Sequence, residues 1–203
     1  MSNVAPALLI VDVQNDFCPG GALAVPEGDR VVPVLNQYIE RCRAGQVPVI
    51  TSRDWHPEKT THFKAYGGIW PPHCIQHTKG AQFHPDLKLP KETIVISKGM
   101  DPDKDSYSAF QAFDSEGAPL AQLLKKRQIT HLFIGGLATD YCVRASVLDA
   151  LQEGFRVTVL KDAIRGVELK PGDSKKAFNE MRRAGADQTS LETLEIWSPS
   201  TER

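Results

Sequence analysis

Short aliphatic runs recur along the chain, and most are followed by apolar residues at helical spacing. Leu8-Leu9-Ile10-Val11 is continuous and apolar, as a central parallel strand covered on both faces requires. It gives way at Asp12 to Val13-Gln14-Asn15-Asp16-Phe17, and Pro19-Gly20-Gly21 then forces a loop. From about Arg30 to Ala44, the residues Val31, Val34, Leu35, Tyr38 and Ile39 form one apolar stripe, with Asp29 as N-cap and Gly45 as the stop. Val47 to Thr51 reads as a second strand, and Thr93 to Ser97 as a third with Lys98 at its end. A helix runs from Pro119 to about Gln128, with proline in its first turn. His131 to Ile134 is a fourth strand, broken by Gly135 and Gly136, and a helix-competent pattern follows from Asp140 to about Glu153. Arg156 to Leu160 is a fifth strand. Asp173 opens a last helix that Gly185 caps, a short strand follows around Asp187 to Ser190, and Ser198 to Arg203 reads as a frayed tail.

Strands alternating with helices in this way predict an α/β fold: a doubly wound sheet of about six mainly parallel strands, with helices on both faces and right-handed crossovers. The 203 residues show no break in composition, so residues 1–203 are expected to form one domain. An insertion at about residues 53–91 is rich in His, Pro and Gly, and loops of that length inside a domain are commonly functional. Ligands of such sheets sit at the carboxyl ends of strands, near the reversal of winding. Asp12, Asp54, Lys98 and the Gly135–Cys142 stretch all fall just past predicted strand ends, and therefore share one rim.

Composition narrows the partners. Hydrophobic content is 41%, charged content 24% and formal net charge −1, which argues against nucleic acid or an acidic membrane surface. The longest basic run, Lys125-Lys126-Arg127, ends a predicted helix, where cations suit the dipole. The apolar segment from Ala7 to Val13 is too short to span a membrane and contains Asp12. No export signal is recognisable, and the cysteines (Cys18, Cys42, Cys74, Cys142) show no C-x-x-C pairing, so free thiols in the cytoplasm are expected.

Strand, glycine turn and helix would put Cys142 in the first helical turn, where unpaired N–H groups and the dipole favour a thiolate. A lysine between a carboxylate and a thiol favours the anionic form of both, so Lys98 suits Asp12 and Cys142 together. Asp12 can then accept the thiol proton and return it to a leaving amine. Asp54-x-His56, with His62 and His73 downstream, supplies mixed N/O ligands for one divalent ion: zinc first, with iron(II) and manganese(II) equally compatible by ligand type. Phe17 and Trp70, beside the acid and a metal ligand, would form a flat slot for a planar ring. His77, His84 and His131 read as packing or hydrogen-bonding residues.

Asp12-Val-Gln-Asn-Asp-Phe17, Asp54-Trp-His56-Pro, Trp70-Pro-Pro-His73-Cys, Ser97-Lys98-Gly and Gly136-Leu-Ala-Thr-Asp-Tyr-Cys142-Val resemble, in collinear order over nearly the whole chain, the nicotinamidases (pyrazinamidases) of the isochorismatase-like cysteine hydrolases. The resemblance implies a triad of Asp12, Lys98 and Cys142. It implies a divalent metal on Asp54, His56 and His73, joined in some relatives by a histidine at the place of His62, with open sites for water and the pyridine nitrogen of the substrate. It implies a cis peptide bond before Ala138 and an oxyanion held by the N–H groups of Ala138 and Cys142. The expected reaction is hydrolysis of nicotinamide, and of pyrazinamide, to the acid and ammonia through a cysteine thioester, feeding NAD salvage. The partner is thus a small molecule; a homo-oligomer stays open. Rival readings are another amidase such as an N-carbamoyl hydrolase, an isochorismate hydrolase, and a metal-binding or thiol-based interaction protein.

Overall fold

Strand β1 (Pro6–Val11) lies inside the sheet because it is apolar on both faces. Leu8 and Ile10 enter one core layer, Ala7, Leu9 and Val11 the other, and all five are fully buried. The computed structural model describes residues 5–194, so the tail expected to fray, Ser198 to Arg203, lies outside the described residues. The remaining strands are β2 (Val49–Asp54), β3 (Ile94–Lys98), β4 (His131–Leu137), β5 (Arg156–Arg165) and β6 (Asp187–Thr189). Their order is β3-β2-β1-β4-β5-β6, with every pairing parallel. Winding reverses between β1 and β4, whose carboxyl ends flank the crevice where such sheets bind ligands.

Helix α1 (Val31–Ala44) packs on one face, while α2 (Leu120–Lys126), α3 (Arg144–Gln152) and α4 (Asp173–Arg183) pack on the other. The connection from β2 to β3 carries a 3-10 turn at Lys64–Tyr66 and buries Cys74, Ala81 and Leu87 beside α1. It covers the sheet where a crossover helix would otherwise lie. No helix among the described residues is long and apolar enough to cross a membrane.

Local chemistry explains where the elements depart from the sequence pattern. Asp29 does not cap α1: a 3-10 turn, Gly28–Arg30, leads into the helix, and the carbonyls of Gly28 and Asp29 take the Val31 N–H. Pro119 stands at the N-cap of α2, one place before the first turn, in the extended conformation its ring allows. β2 runs on to Asp54, so the long connection begins two residues later than the expected 53. The glycines do not end β4. Gly136 pairs with Val11 at φ +122, and a Cβ there would stand 2.1 Å from the Val11 carbonyl oxygen, so glycine permits close approach of the two strands.

Candidate active site

The ends of β1, β2, β3 and β4 deliver the reactive groups to one rim. Asp12 leaves β1 at φ +50, a sparsely populated conformation held by its own N–H on Ser52 O (3.3 Å) and by the Gln14 N–H on its carbonyl (2.8 Å). Its Oδ1 accepts from Ser52 Oγ at 2.7 Å, and its Oδ2 lies 3.0 Å from Lys98 Nζ. The same ammonium touches Asp54 Oδ1 and reaches Cys142 Sγ at 3.5 Å. All four side chains are buried. Burial alone would discharge Lys98, yet the carboxylates of Asp12 and Asp54 raise its pKa well above the ordinary lysine value, so the ammonium is fixed.

Cys142 lies in a π-helical turn, Thr139–Val143, that feeds α3. Here burial works against the expected thiolate. Burial pushes the thiol well above its ordinary range, with Lys98 opposing and Asp12 and Asp54 adding to the effect. Burial also raises the carboxyl of Asp12, against the pull of Lys98. The resting arrangement is a neutral thiol beside a carboxylate made more basic than usual, which suits proton transfer between them. The Leu137–Ala138 peptide bond is cis, and the Ala138 carbonyl takes the N–H groups of Tyr141 (3.1 Å) and Val143 (3.0 Å).

Beside the triad, ring nitrogens of His56, His62 and His73 lie within 4.8 Å of one another, and all three residues are buried. Asp54 Oδ2 is 3.8 Å from His56 Nε2 and 3.9 Å from His73 Nε2. His73 donates Nδ1–H to Pro71 O at 2.8 Å and His62 donates Nδ1–H to Asp105 Oδ1 at 2.5 Å, which leaves the Nε2 lone pair of each free. Neither ring nitrogen of His56 has a hydrogen-bond partner among the described residues, an expensive state for a buried imidazole unless a cation takes it. Burial lowers the pKa of His73 to about 4, so it is neutral, the form that binds metal. Three buried imidazoles and one carboxylate fit a divalent ion.

A narrow cleft opens over these groups, with Cys142 and Asp54 in its lining and Phe17, Trp70, Tyr107 and Tyr141 among its walls. Trp70 meets Tyr141 edge-on at 5.0 Å, and Phe17 lies 5.5 Å from the ring of His73.

The isochorismatase domain matches residues 6–193, nearly the whole chain. The chain belongs to the isochorismatase family. Within that family it is 46% identical to the nicotinamidase of Escherichia coli (strain K12), over 94% of this chain and 96% of that one. It is 38% identical to the nicotinamidase/pyrazinamidase of Mycobacterium tuberculosis, over 89% and 96%. Among solved structures, the pyrazinamidase of Pyrococcus horikoshii in complex with zinc superposes with a TM-score of 0.85 at 44% identity, covering 92% of this chain and 99% of that one.

For this isochorismatase-family chain, the sequence-derived set converges: Asp12, Lys98 and Cys142 in one contact network, Asp54, His56, His62 and His73 in the adjacent cluster, Phe17, Trp70 and Ala138 in the cleft. Sequence reading missed the groups that hold them. Gln14 accepts the Asp54 N–H at 2.8 Å and donates to the carbonyls of Asp54 (2.8 Å) and Ala81 (2.9 Å). Asp16 accepts from the Cys74 N–H at 2.7 Å, steadying the chain next to His73. Both lie inside the Asp12–Phe17 motif, and a run of polar residues, Gln14-Asn15-Asp16, so soon after a buried strand was the available signal. His77 packs on Trp55 and His131 bonds Thr158, as packing residues should.

Proposed function

We propose that this chain is a nicotinamidase that hydrolyses nicotinamide, and pyrazinamide, to the carboxylic acid and ammonia, and so serves NAD salvage. The observation that carries the reading is the meeting of Asp12, Lys98 and Cys142 next to a buried three-histidine cluster under an aromatic cleft. An N-carbamoyl hydrolase would need the triad but not that cluster. The zinc in the Pyrococcus relative favours zinc, and Asp54, His56, His73 and His62 are a donor set that would hold it. When bound, the ion supplies a Lewis-acidic anchor for the substrate's ring nitrogen.

The substrate ring lies in the cleft between Phe17 and Trp70, with its carboxamide toward Cys142. Asp12 takes the thiol proton as the sulfur attacks the carbonyl carbon, and Lys98 keeps the new charges paired. The backbone N–H groups of Ala138 and Cys142 hold the tetrahedral oxyanion; one such donor is typically worth on the order of 10²–10³ in rate. Asp12 then protonates the departing nitrogen, the C–N bond breaks, and ammonia leaves a thioester on Cys142. A water gives its proton to Asp12 as it attacks the thioester. Cleavage of the C–S bond releases the acid, and the proton returns to sulfur. The four free, buried cysteines favour a reducing, cytoplasmic setting.

Ammonia release from nicotinamide tests the reading, together with Cys142→Ala. We expect turnover by the zinc-loaded protein, and its loss in the variant with zinc still bound. Absence of ammonia from the wild type, or an active alanine variant, would refute it.

A further inference from the structure

Residues 99–111 show no strand pattern and carry a single short 3-10 turn at Ala109–Gln111, yet three consecutive residues there reach three different parts of the site. Asp105 Oδ1 accepts from His62 Nδ1–H at 2.5 Å. The Ser106 carbonyl accepts from Lys98 Nζ at 3.3 Å. The Tyr107 hydroxyl accepts from Trp70 Nε1–H at 2.9 Å.

The segment is tied down on both sides of that strip. The Pro102 carbonyl takes Thr60 Oγ1 (3.0 Å), Thr61 N–H (2.8 Å) and Thr61 Oγ1 (3.0 Å), fastening the segment to the residues just before His62. After it, Gln111 Oε1 takes the N–H groups of Tyr107 (2.9 Å) and Ser108 (3.0 Å). The Ala109 N–H then donates to Ser146 Oγ at 2.8 Å, and that hydroxyl donates to the Cys142 carbonyl at 2.6 Å. The segment therefore spans from the histidine loop to the turn that carries the nucleophile.

We propose that Asp105, Ser106 and Tyr107 are positioning residues, a strip in which Asp105 orients His62 toward the metal while Tyr107 sets the plane of the Trp70 wall. The inference rests on the metal-site reading above. A carboxylate on Nδ1 fixes the tautomer, turns Nε2 toward the cation and makes that nitrogen a better donor. A hydroxyl on the indole N–H limits rotation of Trp70, which is an effect on substrate binding and not on the ion.

The two halves separate in experiment. Zinc affinity is read by competition with a chelator, and KM and kcat by ammonia release, on wild type, Asp105→Ala, Asp105→Asn and Tyr107→Phe. Asp105→Ala should weaken zinc by about 10- to 100-fold. Asp105→Asn keeps an acceptor without the charge and should fall between it and wild type; it also serves should the alanine variant fail to fold. Tyr107→Phe should raise KM severalfold with zinc affinity unchanged. Asp105 variants that hold zinc as tightly as wild type overturn the Asp105 role, and an unchanged KM in Tyr107→Phe overturns the Tyr107 role. A wild-type protein that takes up no zinc defeats the metal reading itself, and the Asp105 role with it.

Discussion

A methyl group on Gly99 would stand 2.5 Å from Cε1 of His56 and 2.8 Å from its Nδ1. Gly99 follows the triad lysine directly and adopts φ +69, so it meets two demands at once: a left-handed backbone and an empty place for an imidazole. Gly99→Ala should strain the backbone by about 1–3 kcal/mol and drive His56 from the cluster. The melting temperature should drop by about 2–4 °C for each kcal/mol, and zinc retained after dialysis should fall well below that of wild type. Full zinc content at an unchanged melting temperature would contradict the steric reading.

Lys98 is the ammonium between two buried carboxylates, 3.0 Å from Asp12 and in contact with Asp54. Lys98→Met keeps the length and removes the charge. The two carboxylates are then left facing each other without their cation, which should cost about 3–5 kcal/mol in urea unfolding of the zinc-free protein. Adding Asp12→Asn to Lys98→Met should recover part of that loss, because one of the two like charges is gone. If the double variant were less stable than Lys98→Met by the full single-variant cost of Asp12→Asn, the two side chains would be uncoupled.

Gln14 uses its whole amide on backbone groups of Asp54 and Ala81. Gln14→Leu leaves the Asp54 N–H and the two carbonyls without that partner, at about 1–3 kcal/mol for each group left buried and unpaired. A lowered urea midpoint with an unchanged slope is the expected result. A midpoint equal to that of wild type would mean that water or a shifted backbone replaces the amide.

Continuous aliphatic runs made the strands legible, because a parallel sheet covered on both faces demands them, and strand ends in turn located the rim where Asp12, Asp54, Lys98 and Cys142 meet. The strand ends themselves were less legible. Gly135 and Gly136 looked like a stop, whereas Gly136 serves the close pairing of β4 with Val11, a demand made by a strand far away in sequence. The helix start suggested for Cys142 is a π-helical turn, and burial, which the local sequence does not display, pushes its thiol upward. Asp105 and Tyr107 stayed hidden for a related reason. Their partners His62 and Trp70 are 43 and 37 residues away, and no periodicity marks a loop residue that acts through a distant side chain.

His131 gives a pH dependence that lies apart from the site. It opens β4, is buried, bonds Thr158 Oγ1 through Nε2 at 2.9 Å, and stacks near Phe133 at 4.4 Å. Burial, aided by Arg156 and opposed by Asp187, lowers its pKa from 6.5 to about 4. Between those values the unfolded chain binds a proton on this residue that the folded chain does not, so stability rises with pH in that window. The contribution is complete above pH 6.5 and is lost as pH falls through about 4. His131→Gln, with an amide in place of the imidazole, should flatten this part of the curve while leaving the slope due to His62 and His73 common to both proteins. Urea unfolding of the two zinc-free proteins at several pH values across the window measures the difference. Curves that run parallel from pH 6.5 down to 4 would show that His131 titrates alike in the folded and unfolded chains.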